Sequence, residues 1–166
     1  MSSERFHVRI SKDYLVFCCA HFISYDGDQC EKLHGHNYRA AVELTGPIDE
    51  NSYLFDFVTL KNYMRQITDE LDHHVLLATE NRHIRVEASD TSVRATYRHK
   101  EWVFPREDVV LLAIANTTAE LIARWLARRL LSILRESHGF VPDSLRMEVE
   151  ETFGQAGFYE IAPVKA

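Results

Sequence analysis

The sequence predicts an α+β fold, an antiparallel β-sheet with two helices on one face. Alternating apolar runs open and close the chain, and two stretches with apolar residues at helical spacing lie between them. A further β-rich excursion separates the two helices. With 166 residues and a hydrophobic content of 46%, the chain reads as one domain, residues 1–166, with a sizeable core and an insertion at about 84–110.

Phe6, Val8 and Ile10 alternate with polar neighbours, as in a half-buried strand. After Ser11-Lys12-Asp13, the run from Tyr14 to Ala20 is apolar on both faces and predicts a central strand that delivers His21 at its end. The polar stretch Ser24–Gln29 contains Gly27 and reads as a loop. A third strand starts at the His34-Gly35-His36 triplet and runs to Leu44. It is expected to pair with its predecessor as a long antiparallel hairpin.

Asp56 can cap a helix carrying Leu60, Tyr63, Met64, Ile67 and Leu71, which ends at Leu71-Asp72-His73-His74. Alternation returns at Ile84–Ala88, Val93–Tyr97 and Trp102–Phe104. This excursion could extend the sheet, lid a site, or be peripheral decoration, and the last is the favoured expectation. Thr117 or Thr118 can cap a longer helix from Ala119 to Glu136, stopped by Gly139. Strands at Leu145–Thr152 and Gly157–Ile161 close the chain.

A net charge of -6 argues against a nucleic-acid binder, because phosphate contacts need a basic surface. Three cysteines make a poor disulfide framework and point to a reducing compartment. The first residues form no apolar leader, and no segment approaches membrane-spanning length, so the expectation is a cytoplasmic protein without membrane partners. Phosphate-loop, dinucleotide-binding and nucleophile-elbow signatures are missing.

The chemistry concentrates in the histidines. On a strand, positions i and i+2 share a face, so His34 and His36 can aim both imidazoles at one point. If the hairpin pairs as expected, His21 joins them. Three neutral imidazoles with a fourth position open are the ligand set of a catalytic zinc ion; hydrogen-bonded core histidines are the alternative. Cys30 lies close by, as an activated thiolate or as a fourth, structural ligand. Asp72-His73 reads either as a carboxylate-oriented proton relay or as a polar helix end. Glu151 shares a strand face with Leu145, Met147 and Val149. Facing the core, it needs a partner such as the N–H/NH2 edge of a pterin; otherwise the strand ends early and it meets water. His7, His83, His99 and His138 read as surface residues.

Taken in order, Ala20-His21-Phe22, Cys30-x3-His34-Gly35-His36-Asn37-Tyr38, Asp56-Phe57-x2-Leu60-Lys61, Leu71-Asp72-His73-His74, Thr118-Ala119-Glu120 and Glu151-Thr152 resemble the 6-pyruvoyltetrahydropterin synthase/6-carboxytetrahydropterin synthase family. The resemblance implies the T-fold: a four-stranded antiparallel sheet with two helices on one face, trimers closing a barrel, and two trimers stacking into a homo-hexamer. It implies zinc on His21, His34 and His36, a catalytic Cys30, a relay of Asp72 and His73 supplied by a neighbouring subunit, a pterin anchor at Glu151 and a pterin contact at Thr118. The three-residue gap between Cys30 and His34 is similar to the queuosine-pathway 6-carboxytetrahydropterin synthase branch. The implied activity is that of a lyase acting on 7,8-dihydroneopterin triphosphate. Some relatives place a glutamate where others have the cysteine, and Glu31 stands beside Cys30 here.

Overall fold

The computed structural model describes residues 4–164. In chain order its first half holds β1 (Phe6–His21), β2 (Ser24–Tyr25), β3 (Gln29–Cys30), β4 (His34–Gly46), α1 (Phe57–Asp69) and β5 (His74–Ala78). The second half holds β6 (Arg85–Ala88), β7 (Ser92–Tyr97), β8 (Lys100–Pro105), β9 (Val109–Leu112), α2 (Ala119–His138), β10 (Ser144–Thr152) and β11 (Gln155–Ile161).

β1 and β4 form the expected long antiparallel hairpin, in register from Phe6↔Gly46 to His21↔His34. The polar break Ser11-Lys12-Asp13 does not divide β1 into two strands. Ser11 pairs with Ala41 and Val16 with Arg39, so residues 12–15 bulge opposite Ala40 alone.

Each helix has one end fixed locally. The Asp56 carboxylate accepts the Thr59 N–H at 2.7 Å at the start of α1. Gly139, at φ 58°, closes α2 in the left-handed conformation, and its N–H reaches the Arg135 carbonyl at 2.9 Å. Leu60, Met64 and Ile67 of α1, with Ile122, Leu126 and Leu130 of α2, cover a sheet face built from Ile10, Phe17, Val42, Leu44, Leu145, Met147 and Val149.

The sheet departs from expectation. It has six strands rather than four, in the order β11-β10-β4-β1-β5-β9, and it is mixed, because β5 and β9 run parallel to β1 and to each other. These two strands are short apolar strings without alternation, and burial on both faces explains why. Leu76, Ala78 and Leu112 enter the core shared with the helices. Val75, Leu77, Val109 and Leu111 turn the other way, against a second core.

That second core belongs to the excursion. β6, β7 and β8 form a separate three-stranded antiparallel sheet ending at Pro105, so Val109 and Val110 already belong to the main sheet. Val93, Ala95 and Tyr97 are buried there with Phe22, Ile84, Leu77 and Val109. Trp102 stacks on Phe22 with ring centroids 4.4 Å apart. The excursion is therefore not peripheral decoration, because it covers apolar side chains that β5 and β9 would otherwise present to water.

Candidate metal centre and active site

The hairpin register decides where the histidines go. His21 is paired directly with His34, and Cys19 with His36, so all three imidazoles emerge at one end of β1 and β4. Their ring centroids lie 4.8, 5.4 and 4.8 Å apart for the pairs His21–His34, His21–His36 and His34–His36. One ligand atom from each falls within 4.8 Å of the others, and this is the single such group among the described residues.

The surroundings prepare two of the rings as ligands. His21 Nδ1 faces the Thr117 carbonyl at 2.9 Å and the Thr117 hydroxyl at 3.2 Å. His34 Nδ1 faces the Lys32 carbonyl at 2.8 Å. A carbonyl can only accept, so both rings carry their proton on Nδ1 and leave the Nε2 lone pair free. Burial, together with the neighbouring His34, holds the His21 imidazole below its ordinary pKa and favours the neutral form a metal needs. This donor set of neutral nitrogens suits zinc.

Glu151 arrives from β10 by the predicted alternation. Leu145, Met147 and Val149 on its face are fully buried. β10 and β11 change register between Glu150 and Thr152, leaving Glu151 at the bulge, where it leans toward the histidines. Its Oε1 lies 3.5 Å from His36 Nε2 and 3.7 Å from His21 Nε2, and it accepts a hydrogen bond from the Tyr38 hydroxyl at 3.0 Å. That hydroxyl also stands 3.0 Å from His21 Nε2.

Tyr38 and Thr117 are structural supports that the motif reading did not single out. Both carried a signal: Tyr38 continues the His34, His36 face two residues on, and Thr117 precedes the helix cap. Tyr38 is completely buried and stacks on Phe17 at 5.2 Å. Burial, then the Glu151 charge, push its hydroxyl well above the usual range, so it remains a donor.

A depression of about 400 Å³ opens beside the rings, lined by His21, His34, His36, Glu31, Thr118, Glu120, Glu151 and Gly157, among others. Thr118 stands at the N-terminus of α2, where its side chain makes no cap hydrogen bond. The α2 terminus comes this close because β11 carries Gly157. A Cβ there would sit 2.6 Å from the Glu120 nitrogen and 2.8 Å from the Ala119 carbonyl carbon.

The remaining expected site residues lie elsewhere. Cys30 is outside the lining of this depression and packs against the second core instead. Its thiol donates toward the Glu31 carbonyl at 3.5 Å, and burial raises its pKa, offset in part by the Lys100 ammonium. Glu31 is the one that faces the histidines. Its Oε2 accepts the Ile23 N–H at 3.3 Å and lies 4.0 Å from His34 Nε2.

Asp72 and His73 form a pair with His73 Nδ1 2.9 Å from Asp72 Oδ2. They follow α1, and His73 lines a different depression together with Cys18, Ala20, Gly35 and His74. Asp72 Oδ1 accepts the Cys18 N–H at 2.7 Å. Burial opposes ionisation of Asp72, but that hydrogen bond and His73 hold its carboxyl below the usual range. His73 adopts φ 59°, a left-handed conformation costing roughly 1–2 kcal/mol for a residue with a Cβ, and its ring is 83% exposed.

Comparison with known proteins agrees with this architecture. The family model described as 6-pyruvoyl tetrahydropterin synthase matches residues 9–162. A Methanocaldococcus jannaschii protein, provisionally named 6-carboxy-5,6,7,8-tetrahydropterin synthase, is 32% identical over 146 residues, covering 87% of this chain and 89% of its own. The 6-carboxy-5,6,7,8-tetrahydropterin synthase of Haemophilus influenzae is 28% identical over 127 residues, covering 74% and 81%. The crystal structure of 6-pyruvoyl tetrahydropterin synthase from Plasmodium vivax superposes with a TM-score of 0.88 at 25% identity, over 97% of this chain and all of that one. A variant of the P. vivax enzyme with the same TM-score replaces a glutamate, described as its catalytic residue, by alanine. Matched along nearly its whole length in sequence and in fold, the chain belongs to the 6-pyruvoyl tetrahydropterin synthase family.

Proposed function

We propose that this chain is a zinc-dependent lyase converting 7,8-dihydroneopterin triphosphate and one water to 6-carboxy-5,6,7,8-tetrahydropterin, acetaldehyde and triphosphate, within the route to queuosine and related 7-deazapurines. The observation that carries the reading is the convergence of His21, His34 and His36 beside Glu151 in one depression. A zinc ion held by the three imidazoles would supply Lewis acidity for the negative charge that develops on the substrate side chain. Glu151 anchors the pterin, its carboxylate accepting from an N–H/NH2 edge in place of the Tyr38 hydroxyl. Thr118 offers its free hydroxyl to the same ring. By the family resemblance Cys30, as thiolate, is the proton acceptor, which requires its thiol to leave the second core, and His73, oriented by Asp72, moves a second proton.

The Asp72–His73 pair reaches a substrate through assembly. Edge strands β9 and β11 each have one neighbour in the sheet. Pairing such edges between copies closes a sheet into a barrel, and the assembly proposed is a hexamer of two stacked trimers.

A second reading rests on a specific observation. Glu31, not Cys30, faces the histidines, and the P. vivax relative uses a glutamate as its catalytic residue. With Glu31 as base, the product would shift toward the 6-pyruvoyl compound for which that relative is named. Incubating the zinc-loaded protein with 7,8-dihydroneopterin triphosphate and identifying products by mass spectrometry separates the two. A 6-carboxy product with acetaldehyde supports the first reading, a pyruvoyl product the second. Binding of the pterin without turnover would reduce the protein to a pterin-binding paralogue.

A further inference from the structure

Between β1 and β4 the chain makes a hairpin of only two residue pairs, Ser24↔Cys30 and Tyr25↔Gln29. So short a ladder is not stable alone, and its position must come from tethers. One side is held by α2's approach segment, where Asn116 Nδ2 donates to the Ser24 carbonyl at 2.7 Å. The other side is held by the inserted sheet. The Tyr97 hydroxyl donates to the Asp28 carbonyl, the Arg98 guanidinium pairs with the Asp28 carboxylate, and Lys100 Nζ donates to the Cys30 carbonyl at 3.3 Å. These three groups surround the tight β7–β8 turn, where Tyr97 pairs with Lys100.

Neighbouring residues on an extended strand point to opposite sides. Drawing the Cys30 side chain into the second core with Trp102 and Phe104 therefore sends Glu31 the other way, toward His34. We infer that the inserted sheet is a clamp that sets which of two adjacent side chains, Cys30 or Glu31, meets the metal pocket, with Tyr97, Arg98 and Lys100 as positioning residues. A slip of β3 by one residue would exchange the two. The inference rests on the second reading, with Glu31 as the base, for its chemical meaning, but its geometry can be tested without turnover.

The first measurement is iodoacetamide labelling of the zinc-loaded protein, with Cys30 and Cys18 quantified separately by peptide mass spectrometry. Cys18 is exposed and serves as the internal reference. Cys30 should label at least about tenfold more slowly than Cys18. In an Arg98→Ala/Lys100→Ala double variant, Cys30 labelling should rise by about 10- to 100-fold while Cys18 stays unchanged. Tyr97→Phe removes one hydroxyl and keeps the packing, so it tests the clamp even if the double variant fails to fold; a rise of about 2- to 10-fold is expected. The second measurement is the dependence of turnover on each candidate base. Glu31→Gln should abolish turnover in the native background, and Cys30→Ser should gain weight once the clamp is removed. Lys100→Arg, which keeps the donor, should retain the native pattern. Cys30 labelling that matches Cys18 in the native protein, or that does not change in a folded clamp variant, overturns the inference whatever the product analysis finds.

Discussion

The three-histidine cluster and the Asp72–His73 pair are both imidazole sites, yet they are built in opposite ways. His21 is 2% exposed and fixed through Thr117, while its neighbour Tyr38 ties it to Glu151. His73 is fixed through one ring nitrogen, in a left-handed turn, with most of its ring in solvent. The first cluster has its ligands, their supports and a pocket wall within one chain. The second has a fixed carboxylate and an orienting bond, and the depression that His73 lines, about 290 Å³, is smaller than the one beside the histidine cluster, about 400 Å³. A proton-transfer group gains from being dry and close to its substrate, so such a pair acquires its setting from whatever covers it.

The largest expected effect separates the two. His34→Ala should release the metal and abolish turnover, whereas His73→Ala should retain metal and lower kcat by about 10²- to 10⁴-fold. Metal content by plasma mass spectrometry and steady-state kinetics read both. If the pair serves a neighbouring subunit, co-assembling the two inactive variants in equal amounts should restore roughly a quarter of native activity, since half the sites keep each element. No recovery from a mixed assembly would place both elements in one subunit's site and break the comparison.

A middle-sized effect is expected at Tyr38. Tyr38→Phe leaves the stacking on Phe17 but removes the bond to Glu151 and the contact with His21, so metal affinity or activity should fall by about 10- to 100-fold. Zinc competition with a chromophoric chelator measures it. An unchanged affinity and rate would show that the hydroxyl merely fills space.

The smallest effect concerns the charge on Asp72. Its folded pKa lies below the ordinary 3.8, so the ionised form contributes stability that is present above that value and lost as pH falls through the depressed one. Asp72→Asn can still accept the Cys18 N–H but cannot ionise. Its melting temperature should trail the native protein by a few degrees at pH 6, with the gap closing as the pH is lowered below about 3.8. A gap that persists at pH 2 would assign the effect to packing rather than charge.

Part of the fold was legible because burial on one face leaves a period in the sequence. Val42, Leu44, Leu145, Met147 and Val149 alternate with solvent-facing partners, and the apolar faces of α1 and α2 recur at helical spacing. The same period brought His34, His36 and Tyr38 to one face and placed Glu151 with the core-facing residues of β10. β5 and β9 left no such period, since helices bury one side and the inserted sheet the other. Short apolar strings of this kind read equally as strand or buried helix. The excursion was misread for a related reason: its exposed alternation was visible, whereas the apolar patch it covers lies on strands distant in sequence.

Local chemistry in the chain determined the alternating strands, the histidine pair on one strand face, the cap that starts α1 and the glycine that stops α2, because each depends on residues only a few positions apart. The tertiary structure decided the rest. Pairing across the long hairpin set His21 opposite His34, the close approach of Ala119 and Glu120 to Gly157 closed the pocket wall, and the packing of Cys30 on the second core left Glu31 facing the histidines. Those outcomes depend on contacts between segments tens of residues apart, where strand register and close packing, rather than any local preference, fix the direction in which a side chain points.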